Sequence, residues 1–256
     1  MANSDRIGVR SEATGLQART NDEGVVVVSD DTGASKYMID LRKGPRFVQI
    51  IVFCPDSMLL AVSGTEWSNG SFGSTIHVWQ IDRRNDQISG RPIQRIPSPG
   101  RSVFAIAMAP DNKTIVVSDE DGVRFWQVGS QSPFREFTPH YSKKWDKSIV
   151  ADCVAVSADM RWLATWGYGS IKLWDYRSLQ PLRAIAAGED VGCALAFSPD
   201  SSTLIAVGRH TVTRWRVTPS IWPFLLAGGV ALAGAAVMVG TCGTRRRKRA
   251  EPCSRA

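Results

Sequence analysis

The residues of this chain that could do chemistry are three histidines, five cysteines and four evenly recurring aspartates. His77, His140 and His210 stand at no spacing that would bring two of them to one metal, or one of them beside a nucleophile in a triad. His77 and His210 lie in or beside short apolar runs, where packing or surface roles are expected. No Gly-x-Ser-x-Gly elbow, phosphate loop or dinucleotide fingerprint occurs, and Gly167-Tyr-Gly169-Ser reads as a strand turn. The cysteines form no Cys-x-x-Cys pair. Cys153 and Cys193, aligned on the aspartates that follow them, are offset by one residue and so face opposite sides of equivalent strands, which disfavours a disulfide. With Cys54 they are expected to be buried reduced thiols. Asp56, Asp111, Asp159 and Asp200 follow apolar runs, in turns where a carboxylate accepts hydrogen bonds from backbone amides. The pattern predicts no catalytic residue, no metal site and no cofactor.

The elements that must hold these turns recur. Asp111 to Trp126, Asp159 to Trp174 and Asp200 to Trp215 each span 15 positions, preceded by Ala-Met-Ala-Pro, Ala-Val-Ser-Ala and Ala-Phe-Ser-Pro. A fourth block runs from Asp56 to Trp79, lengthened by eight residues in a Gly/Ser/Asn-rich stretch over 64–75, read as a loop. The tryptophans that end these blocks, Trp79, Trp126, Trp174 and Trp215, lie 47, 48 and 41 residues apart, a period that marks a repeat architecture. Each block holds short apolar runs separated by turn residues, which predicts strands. First strands are expected at 103–108 and 192–197. Second strands are expected at 59–62, 114–117, 163–166 and 204–207, third strands at 76–81, 123–128, 170–174 and 212–217, and fourth strands at 92–96, 134–137 and 181–185. Residues 22–37 lie well over 111–126, with Tyr37 in place of the tryptophan, which predicts a decayed N-terminal copy whose weak first strand is near Leu16 and Ala18.

Phe-Ser-Pro-Asp200 and Ile-Lys-Leu-Trp-Asp175 are similar to WD repeats, and over roughly residues 20–217 the chain resembles WD-repeat β-propellers. The resemblance implies an all-β fold of four-stranded antiparallel blades, four clear and one degenerate, open or incomplete relative to the seven common in that family. Two departures stand out. Gln80, Gln127 and Arg216 follow the other tryptophans, and the Gly-His pair expected before each first strand is absent. Closure has three routes: Ile7-Gly-Val9 supplying the missing fourth strand of the last blade, an open ring, or completion by a second chain. In the family, the loop between second and third strands and the loop into the next first strand open on one face that often binds partners. Trp67 and Phe72 fall in the first kind of loop and Tyr141, Lys143, Lys144 and Trp145 in the second. Exposed aromatics beside lysines have the composition of an interface hot spot.

The chain ends differently. Residues 1–12 are expected to be loosely held, 13–218 to form the propeller, 219–243 a transmembrane helix and 244–256 a basic tail. No charge lies between Arg216 and Arg245, and twenty-three helical residues would span about 34 Å against a bilayer core of about 30 Å. Trp222 and the cluster Arg245, Arg246, Arg247, Lys248 and Arg249 are the expected interface anchors. The tail carries +5 of the net +7, so the high pI gives no reason to expect nucleic-acid binding. Small residues four apart, Ala227, Ala231 and Ala235, allow self-association of the helix. The expected function is a non-catalytic, membrane-tethered protein-interaction scaffold, tail-anchored with the propeller in the cytosol. The alternative, a propeller enzyme or small-molecule sensor using the central channel, needs convergent polar side chains on inner strands that 103–108 and 192–197 almost lack.

Overall fold

Apolar runs of four to six residues, each cut short by Asp, Gly or Ser, are too brief to bury a helix and long enough to cross a sheet. Accordingly every regular element among the described residues is a β-strand. The computed structural model describes residues 8–217 apart from 13, 21–24, 41–46, 55–57, 69–70, 86, 99–101, 143–146, 150, 168, 187–191 and 209. All of them belong to one unit, Met1–Pro219.

The strands form five consecutive antiparallel meanders. Blade 1 is β1 (Gly8–Ser11), β2 (Leu16–Thr20), β3 (Val26–Asp30) and β4 (Lys36–Ile39). Blade 2 is β5 (Phe47–Phe53), β6 (Leu59–Ser68), β7 (Ser71–Arg84) and β8 (Gln87–Ser98). Blade 3 is β9 (Val103–Met108), β10 (Thr114–Asp119), β11 (Gly122–Gln127) and β12 (Pro133–Phe137). A separate hairpin, β13 (His140–Ser142) with β14 (Lys147–Ile149), precedes blade 4. Blade 4 is β15 (Cys153–Val156), β16 (Trp162–Gly167), β17 (Ser170–Asp175) and β18 (Pro181–Ala186). Blade 5 has three described strands, β19 (Gly192–Phe197), β20 (Thr203–Gly208) and β21 (Val212–Arg216). The inner strands β1, β5, β9, β15 and β19 pack in that succession. Sheets repeated about one axis in this way are a β-propeller.

Apolar cores lie between successive blades, since each sheet is apolar on both faces. Leu16, Val26 and Val28 of blade 1 meet Leu60, Val62 and Ile81 of blade 2. Ala61, Ile76 and Val78 meet Ile115, Val117 and Trp126 of blade 3. Val116, Val123 and Phe125 meet Leu163 and Trp174, and Ala164, Trp166 and Ile171 meet Leu204, Ala206 and Trp215. Leu60, Ile115, Leu163 and Leu204 occupy one equivalent position and are fully buried, each contributing about 1.5–3 kcal/mol of transfer free energy.

Three features repeat with the blades. The third and fourth strands slip register at Trp79 opposite Pro92, Trp126 opposite Pro133 and Trp174 opposite Pro181, because proline has no N–H for the ladder. The first-to-second turns of blades 3, 4 and 5 each hold a residue in the left-handed region just after the aspartate: Asn112 (φ 57°), Met160 (φ 55°) and Ser201 (φ 59°). Outer strands also reach forward to the next blade. Tyr37 Oη donates to the Gly90 carbonyl (2.7 Å), Gln94 Nε2 to that of Ser130 (2.7 Å) and Arg135 Nη1 to that of Tyr176 (3.0 Å).

Several expectations are corrected. In blade 1, Leu16–Thr20, where a weak first strand was expected, is the second strand, and Gly8–Ser11 is the first. Gly8 and Val9 pair with Arg19 and Ala18, which excludes them from serving as the fourth strand of blade 5. The 64–75 stretch is a continuous hairpin rather than a loop, with Gly64 opposite Thr75 and Ser68 opposite Ser71. Paired strands satisfy the backbone there despite the Gly/Ser composition. The expected span at 219–243 lies outside the described residues. Among the described residues, no helix is long and apolar enough to cross a membrane.

Candidate functional site

The ring has two ends. Inner strands run toward the aspartate turns, and the opposite end carries the second-to-third turns and the connections into each inner strand. At that second end, Trp67 and Phe72 are opposed across β6 and β7 near the tip of the long hairpin. Tyr141, opposite Ser148, lies on the β13–β14 hairpin between blades 3 and 4. The two hairpins belong to separate sheets with blade 3 between them. Lys143, Lys144 and Trp145 lie outside the described residues, as do Trp222, Arg245, Arg246, Arg247, Lys248 and Arg249.

The aspartate turns are built by short-range hydrogen bonds. Asp111 Oδ1 accepts from the amides of Lys113 (2.9 Å) and Thr114 (2.8 Å), and its Oδ2 from the Thr114 hydroxyl (2.6 Å). Asp159 Oδ1 accepts from Ser157 Oγ (2.6 Å) and the Arg161 amide (3.1 Å). Asp200 accepts from Ser198 Oγ, the Ser202 amide and Ser202 Oγ. Partial burial raises the Asp111 and Asp159 carboxyls, but these donors outweigh it and leave both below the usual range. The Ser198 hydroxyl, followed by the donors of Ser202, brings Asp200 down to about 2. Carboxylates held ionised by their own turn are structural, and Asp56 lies outside the described residues. Neighbouring turns also join: Cys54 Sγ donates to Asn112 Oδ1 (2.9 Å), and the Asp159 amide to Ser201 Oγ (3.1 Å).

Within this circle of turns lies a cavity of about 580 Å³ lined by all five blades. Phe53, Met108, Val156 and Phe197 each stand three residues before a turn aspartate, so the repeat places them around the axis as an apolar collar. Val9, Ser11, Arg10 and Glu12 complete it from blade 1. Sequence reading missed this collar, although its signal was the apolar residue before each Cys-Pro, Ala-Pro, Ser-Ala or Ser-Pro. Cys54, at its rim, and Cys153 are buried cysteines outside any disulfide; the Cys193 side chain is not among those described. Among the described residues, no group of three His, Cys, Asp or Glu side chains could hold a metal ion.

Sequence reading named His140 but found no partner for it, since it lacks the preceding glycine of the repeat pattern. It is buried, its Nε2 is 3.0 Å from Thr165 Oγ1, and that hydroxyl accepts from the indole Nε1 of Trp174 at 3.0 Å. Burial, aided by the positive charge of Lys172, holds the imidazole neutral with its pKa lowered to about 4. The relay exists in blade 4 alone among the described blades, because Val62, Val117 and Ala206 stand where Thr165 does. In blade 2 the indole nitrogen of Trp79 is buried without a partner.

No protein-family model matches the chain, and no curated protein matches it. Among solved structures 912 chains match, a breadth that belongs to a fold rather than to one function. One is a chain of the crystal structure of a mitotic checkpoint complex, 17% identical with a TM-score of 0.61; the match covers 82% of this chain. This chain spans 60% of the length of that one. The likeness, together with the five sheets about a common axis, shows a WD-repeat-like β-propeller fold.

Proposed function

We propose that the chain is a non-catalytic protein-interaction scaffold tethered to a membrane. The observation that carries the first part is the division of the ring ends. One carries the long β6–β7 hairpin with Trp67 and Phe72 and the separate β13–β14 hairpin with Tyr141, while the other surrounds the cavity with its apolar collar. Aromatic residues carried on paired strands have the composition of hot-spot contacts. The matched propeller comes from a multiprotein complex, which favours the same reading. The tether rests on sequence: the uncharged run 221–243 between Trp222 and Arg245–Arg249. Tail anchoring then leaves the propeller in the cytosol, and the basic residues add on the order of 1 kcal/mol each at an anionic leaflet. Alanine at Trp67, Phe72, Tyr141 and Trp145 together is expected to abolish partner co-purification in mild detergent without lowering the melting temperature. Undiminished co-purification refutes the hairpins as the interface.

A further inference from the structure

In blades 2, 3 and 4, four equivalent positions on the second and third strands face the next blade and are closed to solvent. They are Ala61, Ser63, Ile76 and Val78, then Val116, Ser118, Val123 and Phe125, then Ala164, Trp166, Ile171 and Leu173, none more than 6% exposed. In blade 5 the same positions are Ile205, Val207, Val212 and Arg214. Val207 is 37% exposed and Val212 72%, and Arg214 is also exposed. No sixth blade covers them among the described residues.

The other wall of this open sector is the face of blade 1 turned away from blade 2, which bears Arg10, Gln17, Arg19, Val27, Lys36 and Met38. Every other blade presents a tryptophan from its third strand on that side; blade 1 presents no aromatic there. A concavity of about 640 Å³ lined by Arg10, Gln17, Arg19 and Val27 occupies it. Arg10 pairs with Asp31 (2.9 Å), and Arg19 donates to Gln17 Oε1 (2.6 Å). Blades 1 and 5 both line the axial cavity, through Val9–Glu12 and Phe197–Pro199, so these two walls flank one sector of the ring.

One wall is therefore apolar beside Arg214 and Arg216, and the other basic. The strand positions of both faces carry no carboxylate among the described residues. Direct closure of blade 5 on blade 1, or head-to-tail stacking of two copies, would bring Arg214 and Arg216 toward Arg10, Arg19 and Lys36, and like charges at an interface are costly. An occupant with apolar side chains for Val207 and Val212 and carboxylates for the arginines meets both walls.

We propose that the sector between blades 5 and 1 is an interaction surface for a strand-forming segment of a different protein in which apolar residues alternate with Asp or Glu. A strand places successive side chains on opposite faces, so such a segment offers one face to each wall. The surface is distinct from the Trp67, Phe72 and Tyr141 hairpins, and loss of either reading leaves the other standing.

The test places a benzoylphenylalanine photocrosslinker at Val212 of the full chain in its native cells, with the same group at Phe134, on the exposed rim of blade 3, as control. The expected result is an adduct at Val212, absent at Phe134, whose crosslinked peptide comes from another protein and carries carboxylates between apolar residues. Arg19→Glu with Arg214→Glu should reduce it at least about tenfold, while leaving the circular-dichroism melting curve unchanged. An adduct with a second copy, with residues 1–7 or 218–256 of the same chain, with lipid, or with a peptide lacking carboxylates overturns the proposal. So does no adduct, or one insensitive to the charge reversals.

Discussion

At the scale of single residues, the hydroxyl of Thr165 joins two buried side chains. It is the shared partner of a buried indole and a buried imidazole. Thr165→Val orphans both and should cost about 1–3 kcal/mol by urea denaturation. Blade 2 offers the reciprocal experiment. Val62 stands two residues beyond Leu60, the register partner of Trp79, as Thr165 stands two beyond Leu163, the partner of Trp174. Val62→Thr is expected to give the Trp79 indole its missing acceptor and to leave stability unchanged or raised. Val28→Thr, in the same core but with no indole opposite, should lose about 1–3 kcal/mol. The imidazole also sets a pH dependence. Its folded pKa of about 4 lies below the unfolded value of 6.5, so between these the unfolded chain binds the additional proton. Stability should therefore fall as pH drops from about 6.5 to 4. Thermal melts across that range should show the fall in the parent and not in His140→Gln. Below pH 4 the depressed carboxyls of Asp111, Asp159 and Asp200 add a second loss as they protonate.

At the scale of elements, the strand turns decide what can change. Gly122 sits at φ +144°, and a Cβ there would meet the Phe137 carbonyl oxygen at 2.6 Å, so backbone would have to move. Gly122→Ala should lower stability by more than about 1 kcal/mol and loosen β11 from β12 in hydrogen exchange. Strands 103–108 and 192–197 were legible to the residue, since apolar runs and the Pro-Asp or Ala-Asp turn marked both limits. Blade 1 was legible as a sheet but displaced by one strand. Its inner turn, Ser11 to Gly15, has no Pro-Asp signature, and Asp22 offered a false anchor. The hairpin at 64–75 was hidden because glycine and serine signal turns by propensity, whereas long cross-strand pairing overrides propensity in context. The axial collar needed the ring itself, because nothing local shows that Phe53 and Phe197 line one cavity.

At the scale of the whole molecule, five blades leave an uncovered face on blade 5. If the run 221–243 anchors the chain, Leu226→Arg with Leu232→Arg should release it from membranes into the soluble fraction on alkaline extraction. If the propeller lies in the cytosol, as proposed, protease added to sealed membranes should digest residues 8–217 and spare the tail. The succession of inner strands has one further consequence, for how the chain reaches this shape. Each blade is one contiguous stretch, and β1 pairs within its own blade rather than with the last. Among the described residues no strand pairing joins blade 5 to blade 1, so the described blades form without the loop-closure entropy of a ring locked by such a pairing. Blades can thus be laid down one upon another as the polypeptide emerges from the ribosome. Opening should begin at blades 5 and 1, each of which has a neighbouring blade on one side only among the described residues, and amide exchange should be faster in β21 and β2 than in β10 and β16.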